Sequence, residues 1–252
     1  MLLKDRVAVI TGAGMGIGRA VAEAYAREGA KVAIVERDES SGAAAAEQLK
    51  AAGHEAAFVA CDVADRESVL AAAQTVRSTL GPIEILVNNA GITRPAMLHK
   101  MTVEQWNQVI DVHLHGSFHW LQAVVEEMIA AQWGRIIFTS SSTAQNGSVG
   151  QINYSAAKSA VLGMTRTAAR ELGKHNILVN AVAPSAPTDM TKTVMEDPKF
   201  AEMRAVQKKL HPLRRSPELE EVARPYVFLA SEMSSYVTGQ IVSIDGGSML
   251  VR

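Results

Sequence analysis

Of 252 residues only one, Cys61, is cysteine, and only 5% are aromatic. Neither sign of charge prevails, with 25 Lys and Arg against 26 Asp and Glu. A single thiol makes neither an intrachain disulfide nor a zinc cage, so a reducing, cytoplasmic setting is expected. A formal charge of -1 with no basic block lacks the clustered cations that displace counterions from a nucleic-acid backbone. No apolar run approaches the roughly 20 residues of a membrane span. Lys4-Asp5-Arg6 puts charge where a signal peptide needs its apolar core. No repeat, low-complexity linker or break in composition divides the chain. Nucleic-acid and membrane partners are set aside, and one globular domain over 1–252 is expected.

What is present is an alternation. Short β-branched runs at 7–10, 31–35, 57–60, 83–87, 135–139, 178–182 and 240–244 are separated by longer, Ala-rich amphipathic stretches. Continuous apolar runs of that length read as strands buried on both faces. Strands alternating with helices imply right-handed crossovers. The expected fold is therefore α/β, a doubly wound Rossmann-type parallel sheet with helices on both faces. The segment at about 185–216, rich in Pro, Lys, Met and Thr, breaks the alternation and is expected to form a lid or insertion.

The first strand leads into Thr11-Gly12-Ala13-Gly14-Met15-Gly16-Ile17-Gly18 and directly on into a helix. Glycines there permit a tight turn and close approach of backbone to a pyrophosphate, and the helix N-terminus offers free N–H groups to it. A glycine-rich loop alone can be merely a tight turn; its place between strand and helix is what points to a dinucleotide. The second strand ends at Glu36, near the offset of about 20 residues expected for a ribose-reading acid. A carboxylate there accepts the adenosine hydroxyls and repels a 2′-phosphate, whereas the neighbouring Arg37 can pair with one. Because the acid comes first and Met15 is neutral, NAD is expected over NADP. The blander reading of Glu36 to Glu39 is a solvated charged turn. Asp62-Val63, after the third strand, is a candidate adenine contact, with Asp62 alternatively capping the helix that begins near Asp65.

Ser141 ends a strand, and Tyr154 and Lys158 lie four apart on an expected helix, sharing a face. A phenol of ordinary pKa near 10 is a poor proton carrier at neutral pH, and an adjacent ammonium favours its ionised form. By itself Tyr-x-x-x-Lys is common on helix surfaces. Together with Asn88-Asn89-Ala90-Gly91, Pro184 near the end of the sixth strand and Ile244-Asp245-Gly246-Gly247, however, these motifs make the whole chain resemble the single-domain short-chain dehydrogenase/reductase family.

That resemblance implies roles. Tyr154 would be the general acid/base, Lys158 would lower its pKa and hold the nicotinamide ribose, and Ser141 would orient the reacting oxygen. Gly12, Met15, Gly16, Ile17, Gly18, Glu36, Arg37, Asp62, Val63, Asn89, Ala90, Gly91, Pro184 and Thr188 would bind the dinucleotide together with Tyr154 and Lys158. Arg94, Met97, Thr143, Gln145 and Val149, with Met190, Val194 and Met195 of the lid, are candidate substrate contacts.

Two departures stand out. Where the family usually has an asparagine that helps hold a water near the lysine, this chain has His113. An imidazole there can bind the same water, relay a proton or displace the water. Pro184-Ser185-Ala186-Pro187-Thr188 also lacks the family's glycine and following isoleucine, so the carboxamide contact must move or be lost. No metal is expected, since His113 and His115 point to different helix faces.

The leading substrate reading is a small, mostly apolar secondary alcohol or ketone. The alternative is a 3-oxoacyl thioester of a carrier protein or coenzyme A, although 128–133 lack the cation expected of a carrier-protein dock. A reading from another class is a regulator that binds nucleotide without turnover. The resemblance also implies a homotetramer built on two long helices at about 103–131 and 154–173, with Val124, Met128 and Trp133 as contact or core residues.

Overall fold

The computed structural model describes residues 1–186 and 212–248. Seven parallel strands form one sheet: β1 (Val7–Thr11), β2 (Lys31–Glu36), β3 (Ala56–Ala60), β4 (Ile85–Asn88), β5 (Gly134–Thr139), β6 (Ile177–Pro184) and β7 (Ile241–Ile244). Their order is β3-β2-β1-β4-β5-β6-β7. The winding therefore reverses between β1 and β4, which pair Ile10 with Val87. Outside the carboxyl ends of strands at such a switch point the loops part, and a ligand crevice opens.

The side-chain period of two assigns each strand to two cores. Val7, Val9, Leu86, Ile136 and Phe138 pack under α3 (Arg66–Thr79), α5 (Gly116–Ala131) and α7 (Ile152–Leu172), with Trp120 and Val161. Ala8, Ile10, Ile85, Val87 and Ile137 face α1 (Gly16–Arg27), α2 (Glu39–Ala51) and α8 (Leu219–Ala230), with Tyr25 and Tyr226. A strand buried on both faces has no reason to alternate polar with apolar, which is why the sequence reads as unbroken apolar runs. Val124 and Met128 belong to the first core, at 0% and 1% exposure, and are not contact residues.

Helix starts follow side-chain chemistry. Asp38 accepts the Ser41 N–H at α2, and Asp65, not Asp62, accepts the Glu67 N–H at α3. Thr102 and Gln105 form a reciprocal capping box at α4 (Val103–Ile110). The helix expected at 103–131 is interrupted. Residues Asp111–His115 make one π turn, in which the Gly116 N–H reaches back to the Asp111 carbonyl. The Ser117 hydroxyl donates to the His113 carbonyl at 2.6 Å. A widened turn of this kind re-aims one side chain, and here it turns His113 inward.

Candidate active site

A cleft of about 430 Å³ opens over the carboxyl ends of β1, β2, β4 and β5. At one end lies the glycine loop. Gly12 has φ of 64°, and a Cβ on it would press against Ala90; a Cβ on Gly18 would overlap the Gly12 carbonyl and the Asn89 amide. The loop is held to β4 by that amide, which donates to the Thr11 and Gly12 carbonyls at 3.0 and 3.1 Å. Helix α1 has no side-chain cap and no acid in its first turn, while Gly16 and Ile17 face the cleft. Its free N–H groups and positive dipole end fit a pyrophosphate.

Glu36 lines the cleft next to this loop, its carboxylate accepting the backbone N–H of Gly14 at 3.2 Å, Arg37 at 2.8 Å and Asp38 at 3.3 Å. Arg37 is exposed and lies 3.7 Å from Asp62, so its guanidinium is turned toward a carboxylate. Asp62 accepts the Ala64 N–H at 3.0 Å, which shapes the turn that brings Val63 to the cleft wall. The floor is Asn89, Ala90 and Gly91. Of the residues expected to meet a dinucleotide, Gly18 is set back as packing for the loop rather than lining. Met15 lines the cleft and is half exposed.

At the other end Ser141, Tyr154 and Lys158 converge with His113. Ser141 follows β5, and its hydroxyl faces the Tyr154 phenol closely enough to favour the ionised form. The Lys158 ammonium donates to the Thr139 carbonyl at 2.5 Å and lies 5.7 Å from the centre of the Tyr154 ring. Ser140 holds the Lys158 carbonyl at 3.1 Å, and the Asn153 amide ties α7 to the Arg94 and Gln105 carbonyls, both at 3.0 Å.

Burial governs the titration of this end. Desolvation brings Lys158 down to about 7. Tyr154 is raised by burial, with the Ser141 hydrogen bond offsetting part of that shift. An ammonium beside the phenol was expected to lower its pKa. In this structure the phenol is raised instead, because its own burial outweighs the groups beside it, and the Lys158 ammonium is directed to the Thr139 carbonyl.

His113 is 2% exposed, and its Nε2 meets both polar groups of Ile92, the carbonyl at 2.8 Å and the N–H at 3.1 Å. Its pKa is pushed well below the ordinary value, by burial first and by the Lys158 charge second. A relay through the charged imidazolium is thus opposed. What remains is Nδ1, a buried polar atom with no partner among the described residues, on a ring that meets Tyr154 edge-on at 5.1 Å. A Cβ on Gly91 would overlap that ring, so His113 fits only above a glycine.

The expected substrate wall is redrawn. Thr143 lines the cleft, but Arg94, Met97, Gln145 and Val149 do not. Arg94 donates to Gln108 and to the Thr93 carbonyl, and Val149 is 85% exposed on a loop tip. Ile92, Thr93, Ser142 and Gln151 stand in their place, a more polar wall than the sequence suggested. Each lies within three residues of a recognised motif residue, the signal that would have found them. Pro184 lines the cleft, and the Ser185 N–H is committed to the Ile244 carbonyl at 2.9 Å, which leaves it unable to serve a carboxamide. Thr188, Met190, Val194 and Met195, and most of the expected lid, lie outside the described residues.

His115 and His119 each have their own partner, Asp111 at 2.9 Å and the Val63 carbonyl at 3.1 Å. Burial pushes the Cys61 thiol up to about 11, which makes it a wall residue rather than a nucleophile.

A family model described as enoyl-(acyl carrier protein) reductase matches residues 12–249. The 3-oxoacyl-[acyl-carrier-protein] reductase FabG of Chlamydia muridarum is 40% identical over 248 residues, 98% of each chain. This chain belongs to the short-chain dehydrogenase/reductase family. The FabG of Pseudomonas aeruginosa is 41% identical over 248 residues, again 98% of each chain. The crystal structure of a gluconate 5-dehydrogenase from Burkholderia cenocepacia J2315, in complex with NADP and tartrate, has a TM-score of 0.92 at 34% identity, covering 98% of this chain and 96% of that one. As a short-chain dehydrogenase/reductase the chain is an oxidoreductase that uses a nicotinamide cofactor. No helix of the described residues is long and apolar enough to cross a membrane.

Proposed function

We propose that this short-chain dehydrogenase/reductase reduces the 3-oxo group of a 3-oxoacyl thioester. The chemistry rests on one observation, the meeting of Ser141, Tyr154 and Lys158 at the end of a cleft whose other end suits a dinucleotide. The substrate class rests on whole-length similarity to the FabG proteins and displaces the apolar secondary alcohol as first choice. A wall of Thr93, Ser142, Thr143 and Gln151 suits a thioester's second carbonyl better than a purely apolar chain. The same polar wall is compatible with a small hydroxylated ketone, the kind of compound suggested by the name of the gluconate 5-dehydrogenase neighbour.

The bound dinucleotide supplies the hydride. The Ser141 hydroxyl donates a hydrogen bond to the substrate carbonyl oxygen and holds it beside the Tyr154 phenol. Tyr154, a phenol whose pKa burial raises and which is therefore in its acid form at neutral pH, transfers its proton to that oxygen as negative charge develops there. Lys158, charged for about half the time near neutrality, stabilises the phenolate that is left. Neutral His113 leaves Nδ1 free to hydrogen-bond a water beside this pair.

Glu36, fixed by three backbone N–H groups at the end of β2, supports a preference for NADH, because a carboxylate there would repel a 2′-phosphate. The NADP bound in the solved neighbour argues the other way. A homotetramer through the faces carrying exposed Val103, Trp106 and Phe118 is part of the same proposal, and sedimentation at the mass of one chain would remove it.

The deciding experiment follows the absorbance of reduced nicotinamide, with acetoacetyl-CoA and an alkyl or aryl methyl ketone at equal concentration. Faster turnover of the thioester supports the proposal. Preference for the simple ketone returns the chain to alcohol and ketone chemistry.

A further inference from the structure

The helices on the two faces of the sheet meet at one residue, Thr139, the last of β5. Its side chain follows the period of two and points, like Ile137, to the face covered by α8. There the hydroxyl of Tyr226, fully buried, lies 2.8 Å from Thr139 Oγ1. The Thr139 hydroxyl donates to Asn89 Oδ1 at 3.4 Å, and a hydroxyl has a single proton to give. With Tyr226 as the donor to Thr139, that single proton stays with Asn89. The chain of bonds then runs one way, from Tyr226 to Thr139 to the Asn89 amide, whose nitrogen holds the Thr11 and Gly12 carbonyls of the glycine loop. From the opposite face the Lys158 ammonium takes the Thr139 carbonyl at 2.5 Å. Tyr226 is itself anchored, since the Tyr25 hydroxyl of α1 donates to its carbonyl at 3.0 Å.

We infer that Tyr226 is a positioning residue for the reaction: by fixing Thr139 from behind the sheet, it sets both the lysine at the reacting end and the asparagine that braces the dinucleotide loop. It touches neither substrate nor cofactor, and it is not among the cleft-lining residues. A tyrosine is an expensive filler for an apolar core, because its hydroxyl must find a partner there. This one is aimed at the residue on which both ends of the cleft depend. Directed hydrogen bonds in such a chain strengthen one another, so the loss of one member is felt along its length.

The inference rests on reading the cleft as a dinucleotide site, and the test separates the two. Tyr226→Phe, Thr139→Val and the double variant are compared with the parent in reduced-dinucleotide affinity, in kcat with acetoacetyl-CoA and in melting temperature. Loss of one neutral hydrogen bond is expected to weaken dinucleotide binding and lower kcat by about three- to tenfold in each single variant. The double variant is expected to be no worse than the poorer single one, because both cut the same chain. If Tyr226→Phe melts earlier but binds and turns over like the parent, Tyr226 is core packing alone and the inference falls. Effects that multiply in the double variant would also overturn it. A parent that binds no dinucleotide overturns the functional reading, and the inference with it.

Discussion

At one end of the cleft the protein offers mostly backbone: the amides of the glycine turn and α1, and a Glu36 carboxylate held by three N–H groups at the edge of solvent. At the other end it offers side chains taken out of water, with Lys158 brought to about 7, Tyr154 raised and His113 held neutral. Recognition of a charged, flexible dinucleotide needs donors fixed in place, and backbone supplies them without side-chain entropy. Proton transfer needs groups whose charged forms are balanced against desolvation, and only burial provides that. The contrast predicts that damage to one end should leave the other largely working.

Tyr154→Phe removes the proton donor and is expected to lower kcat by about 10²- to 10⁴-fold. Dinucleotide affinity should fall far less in a direct titration, and comparable losses in both would erase the division of labour. Gly18→Ala strikes the other end. Its Cβ overlaps the Gly12 carbonyl, so the loop must shift, and affinity should weaken on the order of a hundredfold while the residual turnover at saturation survives. Glu36→Gln removes a charge without removing the hydrogen-bond acceptor. The ratio of kcat/KM values for NADH and NADPH should shift by about tenfold toward NADPH; an unchanged ratio would mean that Glu36 only shapes the turn.

The smallest effect is thermodynamic. A lysine titrating near 7 in the folded protein and near its ordinary 10.5 when unfolded binds fewer protons folded than unfolded between those values. Stability without dinucleotide therefore rises with pH across that window and gains nothing further from Lys158 below it. Lys158→Met should flatten the rise between about pH 7 and about pH 9 in denaturant melts, where tyrosine ionisation has not yet begun. Parallel slopes in parent and variant would mean that Lys158 is not desolvated.

Much of this was legible because it is local. Seven strands, their parallel sense and the glycine turn follow from short-range patterns. Glu36 follows from its offset after the glycine turn, whereas Asn89 and the roles of Ser141, Tyr154 and Lys158 follow from the motifs that carry the family resemblance. The parts that were not legible depend on distance. Tyr226 meets Thr139 across 87 positions, and nothing in the helix around Pro225 marks one buried hydroxyl as aimed at the site. The rise of the Tyr154 pKa was misjudged for a related reason: spacing places Lys158 beside the phenol, but only packing shows that its ammonium is turned to a carbonyl. Arg94, read as a substrate contact, is spent on Gln108, a bond that depends on how α4 docks.

The central claim is that burial raises the Tyr154 pKa rather than lowering it, so that the reacting end presents its phenol in the acid form across neutral pH. It is tested most directly by measuring kcat against pH in both directions, thioester reduction and 3-hydroxyacyl thioester oxidation, with dinucleotide saturating. Below its raised pKa the phenol is in its acid form, so reduction should be strong near neutrality. Oxidation, which needs the ionised phenol, should climb steadily from about pH 6 to about pH 9. Oxidation as fast at the acid end of that range as at the alkaline end would contradict it.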